Sequence, residues 1–147
     1  MHGQRQLQRN MVLLDANAIL RYILKDIDEQ ASQVMDAVRS GAITTPEILA
    51  EVIYVLSGHY KISRSEVSWF IHRVILDVKV ENVKAVRYAL GIFNQSSLDF
   101  VDCLLIAYNK VLGINVLSFD KKLNHTMNRD LGIYQINIDD YSVENEI

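Results

Sequence analysis

Four carboxylates interrupt apolar runs in this chain. Asp15 ends Met11-Val12-Leu13-Leu14-Asp15, and Glu51 lies within Ile48-Leu49-Ala50-Glu51-Val52-Ile53. Asp102 lies within Phe100-Val101-Asp102-Cys103-Leu104-Leu105-Ile106, and Asp120 follows Val116-Leu117-Ser118-Phe119. An ionised carboxylate in apolar surroundings is unfavourable unless it is paired or metal-bound. Asp15, Glu51 and Asp102 have no Lys or Arg within four residues, so local pairing supplies no counter-charge. The expectation is that distant segments converge on one acidic pocket that divalent cations neutralise. Mg²⁺ and Mn²⁺ prefer such hard oxygen ligands and keep several waters. One or two of these ions can orient a phosphate, activate water and stabilise a leaving oxygen. Asp15, Glu51, Asp102 and Asp120 are therefore candidate catalytic residues and candidate metal ligands.

Each acid also has a plainer reading. Asp15 could cap a helix beginning at Ala16, and Asp120 could cap one beginning at Lys121, with Lys121 or Lys122 as its partner. Glu51 and Asp102 are harder to excuse, because their helical neighbours Ile48, Val55, Cys103 and Ile106 are apolar. Asp99 reads as a helix N-terminal acid that favours the dipole, on the same face as Asp102 at i, i+3. Asn17 follows Asp15 by two residues, where its amide could bind a metal-held water or substrate, or do nothing special. His2, His59, His72 and His125 are scattered without ligand spacing and read as surface or interface residues. No Cys/His cluster suggests zinc, and no Gly-rich phosphate loop occurs.

Strand and helix patterns alternate around these residues. Met11 to Asp15 reads as a short strand, and Ala16 to Lys25 as a helix with Ile19, Leu20, Ile23 and Leu24 at helical spacing. Asp28 to Ser40 is a second helix stopped by Gly41, and Ala42 to Thr45 a second strand. Thr45-Pro46 opens a helix to about His59. Ser63-Arg64-Ser65-Glu66 is a capping-box pattern that starts a helix to Asp77. Val78 to Val80 is a third strand and Asn82 to Asn94 a helix. Ser96-Ser97-Leu98-Asp99 caps another, ending near Gly113. Asn115 to Phe119 is a strand, Lys121 to Arg129 a short helix and Ile133 to Ile138 a last strand. Strands separated by helices imply a mainly parallel sheet covered on both faces, with ligand sites at the strands' carboxyl ends. The expected fold is a three-layer α/β/α sandwich with four to five strands.

Composition narrows the class. A chain of 147 residues is long enough for a core of its own, and with 50% apolar and 22% charged residues it is ordinary for a globular protein. Apolar runs stay well below the length of a membrane span. Residues 1–10 are polar, with Arg5 and Arg9, and lack an apolar signal core. They read as a disordered or cloning-derived tail, with the domain occupying residues 11–147. The single Cys103 excludes an internal disulfide, fits a reducing cytoplasm and reads as a buried small residue. A net charge of −3 argues against general electrostatic nucleic-acid binding, but not against metals acting on phosphates.

The motifs resemble those of PIN-domain nucleases. Val12-Leu13-Leu14-Asp15-Ala16-Asn17 is similar to the family's opening motif. Pro46 to Leu56 is similar to the second, with Glu51 as its acid, and Leu98 to Ala107 to the third, with Asp102 as metal ligand. Leu117-Ser118-Phe119-Asp120-Lys121-Lys122-Leu123 is similar to the fourth. The resemblance spans Met11 to about Ile138, and a small PIN domain resembles the VapC-type toxins of toxin–antitoxin pairs. It implies an Mg²⁺- or Mn²⁺-dependent endoribonuclease, a homodimer, and a cognate antitoxin peptide lying in the groove. The N-terminal extension, and Cys103 where Ala is frequent, depart from the common pattern without touching the acids.

Other readings are a housekeeping RNA-processing nuclease of the same fold, or a catalytically silent PIN-like RNA-binding or scaffold protein. A phosphatase using Asp15 as nucleophile is disfavoured, because Asn17 stands where its second Asp is expected. Asn17, Ser118, Lys121 and Lys122 are candidate substrate-binding residues, and Arg21, Lys25 and Arg129 further candidates for an RNA-tracking rim. The apolar bulk of Val55, Leu56, Tyr60, Ile62, Trp69, Phe70 and Val74 suggests a dimer face.

Overall fold

The computed structural model describes residues 11–133, which fall into two compact units that divide after Glu81. The expected tail 1–10 and nearly all of the strand expected at 133–138 lie outside the described residues.

The first unit is built as strand–helix–helix repeats. β1 (Val12–Leu13) leads to α1 (Ala16–Leu24) and α2 (Asp28–Gly41), then to β2 (Ala42–Thr44). The helices α3 (Pro46–Gly58) and α4 (Arg64–Asp77) then lead to β3 (Lys79–Val80). The strands form one parallel sheet in the order β1-β2-β3, with Val12 opposite Ala42 and Thr44 opposite Val80. Each helix pair is thus the crossover that a parallel pairing demands. The unit's core is Ile19 of α1, Leu49, Val52 and Leu56 of α3, and Val67, Ile71 and Val74 of α4, all almost fully buried. The spacing of the α3 residues is the i, i+3, i+7 stripe of an amphipathic helix.

Local chemistry sets the helix ends. The Thr45 hydroxyl accepts from the Ile48 amide at 3.2 Å with Pro46 in the first turn, and the Ser63 hydroxyl accepts from the Glu66 amide at 3.3 Å. At Gly41 the backbone turns to φ 101°, a conformation that glycine adopts without Cβ strain. α1 and α4 are joined by the Tyr22 hydroxyl, which donates to the Asp77 carboxylate. Burial first, and then the bond to Asp77, push the Tyr22 phenol up to about 12.

The second unit is helical among the described residues. It holds α5 (Val83–Gln95), α6 (Phe100–Leu112) and α7 (Lys121–Met127). α5 and α6 pack through Ala85, Val86, Ala89 and Leu90 on one side and Cys103, Ile106 and Ala107 on the other, and Phe93 meets Phe100 edge to face at 6.1 Å. Cys103 is fully buried, as expected. Gly113 closes α6 at φ 70°, its amide donating to Asn109.

The strand expected at Asn115 to Phe119 is not formed: no residue from 113 to 120 has a strand or helix assignment. Asn115-Val116-Leu117-Ser118-Phe119 does not alternate strictly between polar and apolar residues, and within its unit no other strand is described to complete a ladder. The segment is held by side chains instead. Asn109 donates to the Ile114 carbonyl at 3.0 Å and Asn124 to the Ser118 carbonyl at 2.8 Å. Leu117 and Phe119 are left 86% and 91% exposed. The described residues therefore give three strands of the expected four to five.

Candidate active site

The expectation of acids in apolar surroundings is corrected by the helix faces. In α3 the buried stripe runs through Leu49, Val52, Ile53 and Leu56, and Glu51 falls off it onto the exposed side. In α6 the stripe is Phe100, Cys103, Leu104, Ile106 and Ala107, with Asp102 half-buried at its margin. Asp15 and Asp120 are exposed at helix starts. The apolar neighbours belong to the core, whereas the acids face outward, where charge is tolerated.

In the first unit, β1 delivers Asp15 to the carboxyl edge of the sheet. The Leu14 amide donates to the Ile43 carbonyl at 2.9 Å, and the Thr44 hydroxyl to the Leu14 carbonyl at 3.2 Å. These bonds fix the chain on both sides of buried Leu14. Asp15 then caps α1, one carboxylate oxygen accepting from the Ala18 amide at 2.8 Å. A cap of this kind uses one oxygen, so capping and cation binding are compatible roles. Two residues on, the Asn17 amide oxygen accepts from Arg21 at 3.3 Å. Arg21 is itself clamped by both Asp26 oxygens at 2.6 Å, which raises its pKa and holds the Asp26 carboxyl below the usual carboxylate range. Arg21, a candidate for the RNA-tracking rim, therefore carries an ion pair. Its guanidinium serves Asp26, whereas Lys25, at the left-handed end of α1, is exposed. A groove of about 490 Å³ beside Asp15 is lined by Val12, Leu13, Asn17, Arg21, Gln30 and Gln33 among others.

In the second unit, Asp102 feels the charge of two neighbouring acids. Asp99 caps α6, accepting from the Asp102 amide at 2.9 Å, and Asp120 caps α7, accepting from the Leu123 amide at 3.0 Å. Asp102 stands in the first turn of α6. Its carboxyl is raised above the ordinary range, first by burial, then by the like charges of Asp99 and Asp120, with Lys122 opposing. Asp99 thus belongs to the Asp102 group electrostatically. The Ser118 hydroxyl accepts from the Asp120 amide at 3.1 Å and shapes the turn that presents Asp120. Lys121, Lys122, His125 and Arg129 are exposed.

Among the described residues, no group of three or more His, Cys, Asp or Glu side chains is close enough together to hold a metal ion. Mg²⁺ asks for less, being held by one or two carboxylates with waters filling the octahedron. Asp102, crowded by the like charges of Asp99 and Asp120, and those two acids offer hard oxygen donors with no thiolate or imidazole among them, the donor type that suits that ion.

Two participants went unnoticed in the sequence. Asn124 fixes the Ser118 turn, and Ser97 receives a bond from the Lys122 ammonium. Asn124 lies four residues after Asp120, a spacing that could have flagged it. Ser97 is 25 residues from its partner and left no local signal.

No helix among the described residues is long and apolar enough to cross a membrane. No curated protein and no solved structure matches the chain. A family model does: that of the PIN domain matches residues 12–127, from the first residue of β1 to the last of α7 and across all four acidic motifs. With its Asp15, Glu51, Asp102 and Asp120 carried on one strand end and three helix starts or faces, the chain belongs to the PIN domain family.

Proposed function

We propose that this chain is a metal-dependent endoribonuclease and the toxin of a type II toxin–antitoxin pair. The observation that carries the reading is the family match over residues 12–127, because PIN domains are generally metal-dependent nucleases. The outward-facing acids support it, as does the crowding that Asp102 feels from Asp99 and Asp120. In this reading Asp15, Glu51, Asp102 and Asp120 are the acids that hold Mg²⁺ or Mn²⁺. The ion supplies Lewis acidity and a water of lowered pKa when bound.

The chain's own residues do the rest. The capping bonds of Asp15 and Asp120 hold those carboxylates rigid before substrate arrives, which lowers the ordering cost of the site. Asn17 and Ser118 line the approach to Asp15 and Asp120. Lys121 and Lys122 supply charge for RNA phosphates, positioning the strand without reading its sequence. The remaining family traits belong to the same proposal: a four- to five-stranded three-layer sandwich, a homodimer, a cognate antitoxin and cytoplasmic action.

The test is RNA cleavage by the purified chain with Mg²⁺ or Mn²⁺, with and without EDTA, beside Asp102→Asn. Cleavage that needs the metal and is abolished by the substitution supports the reading. Cleavage that survives EDTA, or full activity in the variant, refutes it. Growth arrest on expression, relieved by the product of an adjacent small reading frame, separates a toxin from a housekeeping nuclease.

A further inference from the structure

Lys122 lies among acids without pairing to any of them. It occupies the first turn of α7, two residues after Asp120, and its charge reaches the Asp102 carboxyl. The ion pairs seen among the described residues are Arg21–Asp26 and Arg39–Asp36, and neither involves Lys122. Instead its ammonium donates to the hydroxyl of Ser97. A flexible lysine beside three carboxylates gains more from a charge-assisted bond to one of them than from a neutral hydroxyl. Its engagement with Ser97 keeps the ammonium off the acids.

Ser97 has no other evident structural work. The capping of the segment that enters α6 is done by its neighbours. Ser96 accepts from the Leu98 amide at 3.3 Å, and Asp99 accepts from the Asp102 amide at 2.9 Å. Ser97 itself is exposed. Two elements 25 residues apart therefore meet through one side-chain bond at the margin of the acidic group.

We propose that Ser97 is a positioning residue that holds the Lys122 ammonium at the rim of the Asp99, Asp102 and Asp120 group, where it meets a phosphate of the bound RNA strand. The inference rests on the nuclease reading above and adds a residue to it. Tethering restricts a side chain that otherwise has many rotamers, so the ammonium is in place when the phosphate arrives. It also leaves the three carboxylates outside the ion pairs seen among the described residues, and so available to a cation.

Cleavage kinetics with Mn²⁺ on wild type, Ser97→Ala, Ser97→Thr, Lys122→Ala and the Ser97→Ala/Lys122→Ala double variant test it. Loss of one hydrogen bond predicts a KM for RNA about two- to tenfold higher in Ser97→Ala, with kcat held. Ser97→Thr, which keeps the hydroxyl, restores KM. The double variant is no worse than Lys122→Ala alone, because the two residues act as one unit. Wild-type KM in Ser97→Ala, or additive losses in the double variant, overturns the tether. So does a KM defect that comes with a lowered melting temperature and is not rescued by threonine. Absence of metal-dependent cleavage in the wild type overturns the nuclease reading and the RNA role together. Normal wild-type cleavage with an indifferent Ser97→Ala overturns the tether alone.

Discussion

Asp102 carries two opposed demands at the scale of a single residue. In the proposed reaction its carboxylate must stay ionised to bind a cation, yet burial and the charges of Asp99 and Asp120 favour the protonated form. The folded-state pKa is raised, so between the unfolded and folded values the native state holds more protons than the unfolded one. Stability therefore falls as pH rises through that window and stays lower above it. Asp102→Asn removes the penalty. It is expected to abolish cleavage while raising the melting temperature by about 1–4 °C at neutral pH, a surface-scale effect. The gain vanishes below the ordinary carboxylate range, where Asp102 is protonated in both states. Melting curves at neutral and acid pH check it, and a variant that melts lower at neutral pH would make Asp102 structural. Lys121 and Lys122 belong to the same scale. The Lys121→Ala/Lys122→Ala variant is expected to weaken RNA binding and to flatten its salt dependence by one to two phosphate contacts, or about 0.7 to 1.4 in the log–log slope. Anisotropy titrations over a salt series read this directly, with Mn²⁺ binding unchanged.

At the scale of elements, the helices are specified by their ends. Asp15, Thr45, Ser63, Asp99 and Asp120 each cap a helix through a side-chain oxygen. Three of these caps are acids of the proposed reaction or their neighbours, so one residue serves folding and chemistry together. The two roles separate by substitution. Asp15→Ala is expected to cost about 1 kcal/mol of stability, whereas Asp15→Asn, an equally good cap, is expected to cost little. Both are expected to lose cleavage. Denaturant titration of the pair settles the assignment, and an equal stability loss in both would mean that the negative charge, rather than the cap bond, supports α1. Gly91 shows a similar economy in α5. A Cβ there would sit 3.2 Å from the Ile133 side chain, so the glycine permits a close approach that its helix propensity alone disfavours.

At the scale of the whole molecule, the question is what covers the exposed aromatics. The dimer face expected from residues 52–74 divides on inspection. Leu56 and Val74 are core, Val55, Ile62 and Phe70 are half-buried, and Tyr60 and Trp69 are exposed. Tyr54, which that expectation did not include, is 80% exposed. Trp69 lies under the Arg73 guanidinium at 5.4 Å and against Phe70 at 5.3 Å, a rigid aromatic platform on one side of α4. Such residues favour interfaces. The proposed homodimer predicts that Trp69→Glu lowers the mass seen in light scattering at micromolar concentration from dimer to monomer with the fold intact. A wild type that is already monomeric there refutes the dimer.

Much of this protein was legible without a structure, because the relevant physics is local. Helix periodicity, caps at Thr45, Ser63 and Asp99, and the stops at Gly41 and Gly113 depend on neighbours a few residues away, and the observed helices begin and end within about two residues of those signals. The family was equally legible, and the PIN domain model matches residues 12–127. Three things were decided only by tertiary structure. The strand expected at 115–119 did not form, since a strand needs a partner that no local pattern supplies. Asp15, Glu51 and Asp120 turned out to be exposed and Asp102 half-buried, since the apolar residues beside them in sequence point elsewhere. The partners of Arg21 and Lys122 are Asp26 and Ser97, one just past a helix end and the other 25 residues away. A charged side chain's partner is chosen by proximity in space, and proximity in the chain does not reveal it.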